Sequence, residues 1–89
     1  MTEERKREGW TTVASRYHGS GGPRQVVYRN NEAAETYMFD VEFPGNPPSW
    51  QTEMRGSLDK AKTAADQLVT QSDHRCTDQC GLWTAPESA

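Results

Sequence analysis

The chain has few of the residues that build a large core or a catalytic centre. Only 33% of its 89 residues are hydrophobic, and it contains two cysteines and two histidines. A chain of this length forms one domain at most and buries a thin core. A dimer contact, a metal ion or a disulfide would each add stability to such a domain.

A strong excess of charge and a long apolar run are also missing. The net charge of −3 gives no general attraction to nucleic acid or anionic lipid. No apolar stretch approaches the length of a membrane span, and the N-terminal residues lack the apolar centre of a signal peptide. We therefore expect a cytoplasmic protein that makes no membrane contact.

The distribution of apolar residues predicts the boundaries of the folded part. Residues 1–9 carry six charged side chains, and residues 84–89 are small and mostly polar. Such segments bury too little apolar surface to fold alone. We expect a disordered charged tail at 1–9, a single α+β domain at 10–72, and a flexible C-terminal tail with a cysteine pair at 73–89.

The middle of the chain has the two-residue period of a half-buried strand. Apolar and mostly polar residues alternate over residues 37–43. Apolar positions along this strand and the next predict one core-facing surface, made of Tyr37, Phe39, Val41, Phe43, Trp50 and Met54. The opposite face, with Asp40 and Glu42, is expected to meet solvent. Further strands are predicted at 24–29 and 50–55, and at 10–17, where a helix is the alternative.

A helix is predicted to follow the last strand. Ser57 is a suitable N-cap, and Asp59 in the first turn suits the helix dipole. Leu58, Ala61 and Leu68 belong to one apolar stripe, which extends the helix to about residue 71. The predicted fold class is α+β, with a small antiparallel sheet of three to four strands packed against one C-terminal helix.

One cluster has the side chains of a metal site. His74, Cys76 and Cys80 place three nitrogen or sulfur donors within seven residues. Structural zinc sites hold four ligands, and His18 or Asp78 could supply the fourth. A Cys76–Cys80 disulfide is a second interpretation. Two reduced thiols in a tail are the leading one, so we expect no cofactor and no stoichiometric metal.

The sequence offers little for catalysis. Neither His18 nor His74 lies in a nucleophile motif. Asp40 and Glu42 share a strand face, as paired acid–base carboxylates would, but a solvated strand face has the same spacing. We therefore expect a protein that is not an enzyme.

Basic and aromatic side chains suggest a nucleic-acid surface as an alternative function. Arginine beside aromatic rings on an open sheet is one way to bind single strands. The candidate residues on the sheet and at the helix start are Arg16, Tyr17, Arg24, Tyr28, Arg29, Arg55, Lys60 and Lys62.

Part of the chain, residues 37–69, resembles the end of a double-stranded-RNA-binding domain. In that family two strands precede a helix that starts with Ser and two Lys, then any residue, Ala, Lys and an Ala pair. The matching residues here are Ser57, Ala61, Lys62, Ala64 and Ala65. Leu58 and Asp59 stand where the family has its two phosphate-binding lysines. The resemblance implies an RNA-binding sheet and helix.

The same stretch is similar to small sheet-plus-helix modules of phage and bacterial accessory proteins. That resemblance implies an accessory or inhibitor protein that binds another protein. We expect a non-catalytic interaction module whose partner is a protein or a second copy of the chain. Strand 24–29 or 10–17 is the expected sheet edge for such pairing, and Trp83 is a candidate partner-binding side chain.

Overall fold

A computed structural model describes residues 8–19, 22–72 and 80–85 of the chain. The described residues form four strands and one helix: β1 (Trp10–Tyr17), β2 (Arg24–Asn30), β3 (Tyr37–Phe43), β4 (Ser49–Arg55) and α1 (Leu58–Gln71). The strands form one antiparallel sheet in the order β1-β2-β3-β4. Helix α1 packs on β2, β3 and β4. The predicted α+β fold class is confirmed, and residues 10–17 form a strand rather than a helix.

The main core lies between the sheet and α1. Val27, Phe39 and Val41 are fully buried on the helix-facing side of the sheet. They meet the equally buried Ala61 and Ala65 of α1. The small alanine side chains let the helix axis approach the sheet closely, so the strands supply most of the core volume. The predicted core face of residues 37–43 is confirmed.

The alternation predicts a solvated face on the opposite side of the sheet, but part of that face is buried. Val26, Tyr28 and Met38 form a second buried cluster there, with Trp10 packed against it. Asp40 lies on this face with 0% of its surface exposed, and its carboxylate accepts a hydrogen bond from the Thr52 hydroxyl. The interpretation of Asp40 as a solvent-facing carboxylate is wrong. A buried polar group needs such a partner.

The two faces of strand β4 are exchanged relative to the prediction. The β3–β4 register pairs Phe39 with Glu53 and Met38 with Met54. Trp50 and Met54 therefore lie on the face opposite α1 rather than in the main core. A shift of one residue in register exchanges the two faces of a strand. The guanidinium of Arg55 instead lies 5.6 Å from the centre of the Phe39 ring on the helix side.

The start of α1 agrees with the sequence. The hydroxyl of Ser57 accepts a hydrogen bond from the backbone N–H of Lys60 at 3.2 Å, as an N-cap does. The buried face of α1 also includes Ala64 and Val69, whereas Leu68 is only partly buried. Within the described parts of the chain, no helix is long and apolar enough to cross a membrane.

Residues 80–85 belong to the folded body. Ser15 and Thr84 exchange two backbone hydrogen bonds of 2.9 Å, and the N–H of Gly81 donates to the carbonyl of Tyr17 at 2.8 Å. Cys80 pairs with His18 just beyond the end of β1. This segment therefore covers part of the β1 edge of the sheet, and the domain boundary expected at residue 72 stays a prediction.

Candidate functional site

A cluster of polar side chains lies where β1, β2, α1 and residues 80–85 meet. We call it the Asp66 cluster, and its members are Arg16, His18, Gln25, Asp66, Cys80 and Trp83. One Asp66 carboxylate oxygen accepts from Arg16 Nη1 at 3.0 Å and from Gln25 Nε2 at 2.7 Å. The other oxygen accepts from Trp83 Nε1 at 3.2 Å. One carboxylate thus ties the helix to two strands and to the C-terminal segment.

His18 and Cys80 form the other end of this cluster. His18 Nδ1 lies 3.2 Å from the Cys80 sulfur, and His18 Nε2 is hydrogen-bonded to the Gln25 side-chain oxygen. Because the Gln25 amide nitrogen donates to Asp66, its oxygen must accept, and the Nε2 of His18 carries the hydrogen. In the neutral ring Nδ1 then presents its lone pair toward the Cys80 sulfur.

Backbone geometry at the β1–β2 connection holds His18 in place. A Cβ atom at Gly22 would lie 2.1 Å from the carbonyl oxygen of His18. Only glycine therefore fits there without movement of the backbone. The N–H of His18 also donates to the carbonyl of Pro23 at 3.3 Å. The position of His18 is consequently set by its backbone contacts with Gly22 and Pro23 and by the hydrogen bond of its ring to Gln25.

The cysteine–histidine contact is the arrangement that nucleophilic enzymes use. His18 is 5% exposed, however. Two open depressions run along α1, and Thr63 lines both of them. One of them is also lined by Arg55 and Lys60. Neither His18 nor Cys80 lines either depression. The expectation that the protein is not an enzyme stays a prediction.

The arginines named as nucleic-acid contacts are held by carboxylates. Arg16 is bound to Asp66. Arg24 lies 3.8 Å from a Glu42 oxygen, and its guanidinium also covers the Tyr17 ring at 5.3 Å. Each contact lowers the positive potential that these side chains offer to phosphate.

The remaining nucleic-acid candidates lie on several elements of the fold. Arg55 lies on the helix side of the sheet and pairs with Glu53 at 2.9 Å. Tyr28 is buried on the opposite face. Lys62 lies over the Trp83 ring at 5.9 Å. Arg29 and Lys60 are exposed at separate places, one on β2 and one on α1.

Trp83, the predicted partner-binding residue, packs against the main core in addition to its bond to Asp66. Leu82 beside it is 83% exposed. The indole therefore contributes to the fold, and Leu82 is the exposed apolar side chain of this segment.

Of the residues considered as metal ligands, only His18 and Cys80 are described. His74, Cys76 and Asp78 lie outside the described residues, so the alternative of a Cys76–Cys80 disulfide does too. Among the residues that the structure does describe, no three His, Cys, Asp or Glu side chains group around a common point. His18 and Cys80, separated by 62 positions in the sequence, are nevertheless in contact.

The most exposed strand is β4, and we call its outer side the β4 edge. Six of its seven residues are exposed. All seven pair one-for-one with β3, so β4 is regular along its length. Within 8–19, 22–72 and 80–85, no segment pairs with the outer side of β4.

Of the two strands named as a possible sheet edge, one is an edge and the other is not. Strand 24–29 is interior to the sheet, and strand 10–17 is an edge that Cys80 and Thr84 partly cover. Local sequence pattern cannot indicate this cover, because the residues that pair with β1 come from the far end of the chain. Among the described residues, the edge strand that no other segment pairs with is therefore β4, which was not one of the two predicted edges.

Comparison with known protein families, with curated proteins and with solved structures finds no match to this chain. The function proposed below is therefore based only on the contacts and the exposed surfaces of this chain.

Proposed function

We propose that this protein is a small non-catalytic interaction module that associates with a second copy of itself through the β4 edge. The observation that carries the proposal is the contrast between the two edges of the sheet. The β1 edge is partly covered, at Ser15 and Tyr17, by residues 81–84, whereas β4 is regular and exposed. A regular strand edge offers backbone N–H and C=O groups to another strand.

The order of side chains along β4 suits pairing with itself. In an antiparallel pair of β4 strands with a two-fold axis at Thr52, Trp50 of one chain lies opposite Met54 of the other. Gln51 then lies opposite Glu53, so no like charges are directly opposed. A two-fold axis produces each of these pairs twice, which is how symmetric dimers are built.

The apolar pair supplies the side-chain contribution to this contact. Met54 is 60% exposed, and Trp50 lies on the same face of the sheet. Thioether–aromatic contacts stabilise by about 0.3–1.5 kcal/mol, and directly opposed cross-strand pairs by about 0.2–1 kcal/mol. A contact limited to one strand edge is smaller than a standard interface, so we expect weak, concentration-dependent association.

Charge substitutions at the two apolar positions test the register. Trp50→Lys with Met54→Lys places like charges opposite each other in both pairs, so this double variant is expected to be monomeric. Trp50→Lys with Met54→Glu places opposite charges together and is expected to retain the dimer. Sedimentation velocity over a range of protein concentrations distinguishes the two. Leu82→Lys, an exposed apolar position on residues 80–85, is the matched control and should associate like the wild type.

Two results would contradict the proposal. A wild-type protein that sediments as a monomer at every concentration would reject self-association. A dimer that survives in the Trp50→Lys, Met54→Lys variant would place the contact elsewhere on the molecule.

A titration with nucleic acid addresses the alternative function. We expect no binding of duplex RNA, duplex DNA or single strands at low salt, because Arg16, Arg24 and Arg55 are already held by carboxylates. Fluorescence anisotropy with labelled oligonucleotides provides the measurement. Binding that weakens steeply with added salt would favour the nucleic-acid function instead.

A further inference from the structure

We propose that Cys80 is a nucleophilic cysteine that small hydroperoxides oxidise to a sulfenic acid, with His18 as the base that takes the thiol proton. The thiolate is the reactive form of cysteine, and an adjacent base activates the thiol by removing its proton. The structure brings the two groups together from positions 62 residues apart, with His18 Nδ1 3.2 Å from Cys80 Sγ. The modification is a stoichiometric reaction of one side chain, and it does not depend on the β4 edge.

The hydrogen bonds behind His18 fix the direction of the proton transfer. The Gln25 amide nitrogen donates to Asp66 at 2.7 Å, so the Gln25 oxygen accepts from His18 Nε2. The hydrogen of the neutral ring is therefore on Nε2, and the lone pair of Nδ1 faces the thiol. A nucleophile, a base and a third group that orients the base form the arrangement that activates cysteines in proteins.

The same hydrogen bonds stabilise the imidazolium that forms when His18 takes the proton. Both ring nitrogens donate in the charged form, and the Gln25 oxygen remains the acceptor for Nε2. The Asp66 carboxylate lies at the other end of the Gln25 amide, where Arg16 offsets part of its charge. Because His18 is 5% exposed and Gln25 is fully buried, water screens these interactions little.

The exposure of the two side chains suits a reaction with a small reagent. His18 is almost fully buried, whereas Cys80 is only partly buried. Neither of the two depressions along α1 is lined by them, so a small reagent matches this position better than a large ligand. A hydroperoxide needs only a thiolate to attack it and a proton for the oxygen that leaves.

The reaction balances with these groups alone. The thiol proton of Cys80 moves to His18 Nδ1, and the sulfur attacks one oxygen of the peroxide. An S–O bond forms as the O–O bond breaks, and the leaving hydroxide takes the proton from Nδ1 and departs as water. The sulfur is oxidised to the sulfenic acid, and the peroxide is reduced.

Trapping of the sulfenic acid tests the proposal in the Cys76→Ser chain, which has Cys80 as its single thiol. The reduced protein is treated with hydrogen peroxide in the presence of excess dimedone, and peptide mass mapping follows the Cys80 adduct. Unfolding in urea separates His18 from Cys80, and a positioned base contributes about 10²–10⁴-fold to a rate. We therefore expect the folded chain to form the adduct at least 10-fold faster than the same chain in urea.

Two further variants of this chain examine the base directly. His18→Gln removes the base but keeps a polar side chain, and it should lower the rate of the folded chain at least 10-fold. Asp59→Ala, in the first turn of α1, is the control and should react like its parent. Circular dichroism verifies that each variant is folded.

Two results would overturn the proposal. One is a rate of adduct formation in the folded chain that is equal to or below the rate in urea. The other is a folded His18→Gln chain that reacts as fast as its parent. The comparison with urea requires no change at His18, so it decides the proposal even if His18→Gln does not fold.

Discussion

Phe39→Ala is expected to lower the free energy of unfolding by about 3–5 kcal/mol. Phe39 is the largest fully buried side chain of the main core. It lies between Val27 of the neighbouring strand and the alanine face of α1. The side chains of Ala61 and Ala65 are too short to fill the cavity that Phe39→Ala leaves, so little of the lost packing energy is recovered.

The matched control is Phe43→Ala on the same strand and the same face. Phe43 is only partly buried at the end of β3, so a smaller loss is expected. Urea denaturation followed by far-ultraviolet circular dichroism measures both variants. Because small domains have stabilities of only about 5–15 kcal/mol, Phe39→Ala should remove a large fraction of the total. Equal losses in the two variants would contradict the assignment of Phe39 to the centre of the core.

Asp66→Ala is expected to lower the free energy of unfolding by about 2–4 kcal/mol, because it removes the acceptor of three hydrogen bonds. A buried donor left without a partner destabilises a protein by about 1–3 kcal/mol. Gln25 Nε2 is fully buried and loses its bond. The donors on Trp83 and Arg16 are closer to solvent, so water can replace part of the hydrogen bonding that they lose.

Asp59→Ala is the control for Asp66→Ala on the same helix. Asp59 is exposed in the first turn of α1, where its interaction with the helix dipole contributes about 0.3–1 kcal/mol. Urea denaturation compares the two losses, and the indole N–H resonance of Trp83 provides a local signal. That resonance should move in Asp66→Ala and stay in place in Asp59→Ala. A Trp83 resonance unchanged by both substitutions would contradict the bond to Asp66.

Elements with a strong local pattern were predicted well from the sequence. The alternation over residues 37–43 fixes which side chains of β3 reach the main core. Ser57 and the apolar stripe fix the start and the buried face of α1. These features depend on neighbours within a few positions, so the sequence alone contains the information.

The face assignment of β4 failed because it depends on pairing rather than on local pattern. Trp50 and Met54 are the apolar residues of this strand, and hydrophobicity alone predicts that they face the helix. The register that follows from pairing Phe43 with Ser49 puts Glu53 and Arg55 on that side instead. The guanidinium of Arg55 lies over the Phe39 ring, so a charged residue can occupy the rim of the core.

The Asp66 cluster could not have been read from the sequence. Its members come from β1, β2, α1 and the C-terminal segment, and Arg16 and Asp66 are 50 positions apart. Each residue separately resembles an ordinary surface or strand residue. The sequence did name His18 as a possible partner of the cysteines, but only the fold brings it to Cys80.

An intermolecular contact between Trp50 and Met54 tests the proposed β4 dimer most directly. Chains labelled with carbon-13 at the methionine methyl groups are mixed with unlabelled chains, and isotope-filtered nuclear Overhauser spectra are recorded at high concentration. Within one chain the two residues are about 13 Å apart along the strand, too far for a signal. The proposed register predicts a cross-peak between the Met54 methyl of one chain and the Trp50 indole of the other. A dimer that gives no such cross-peak, or a protein that remains monomeric, would contradict the proposal.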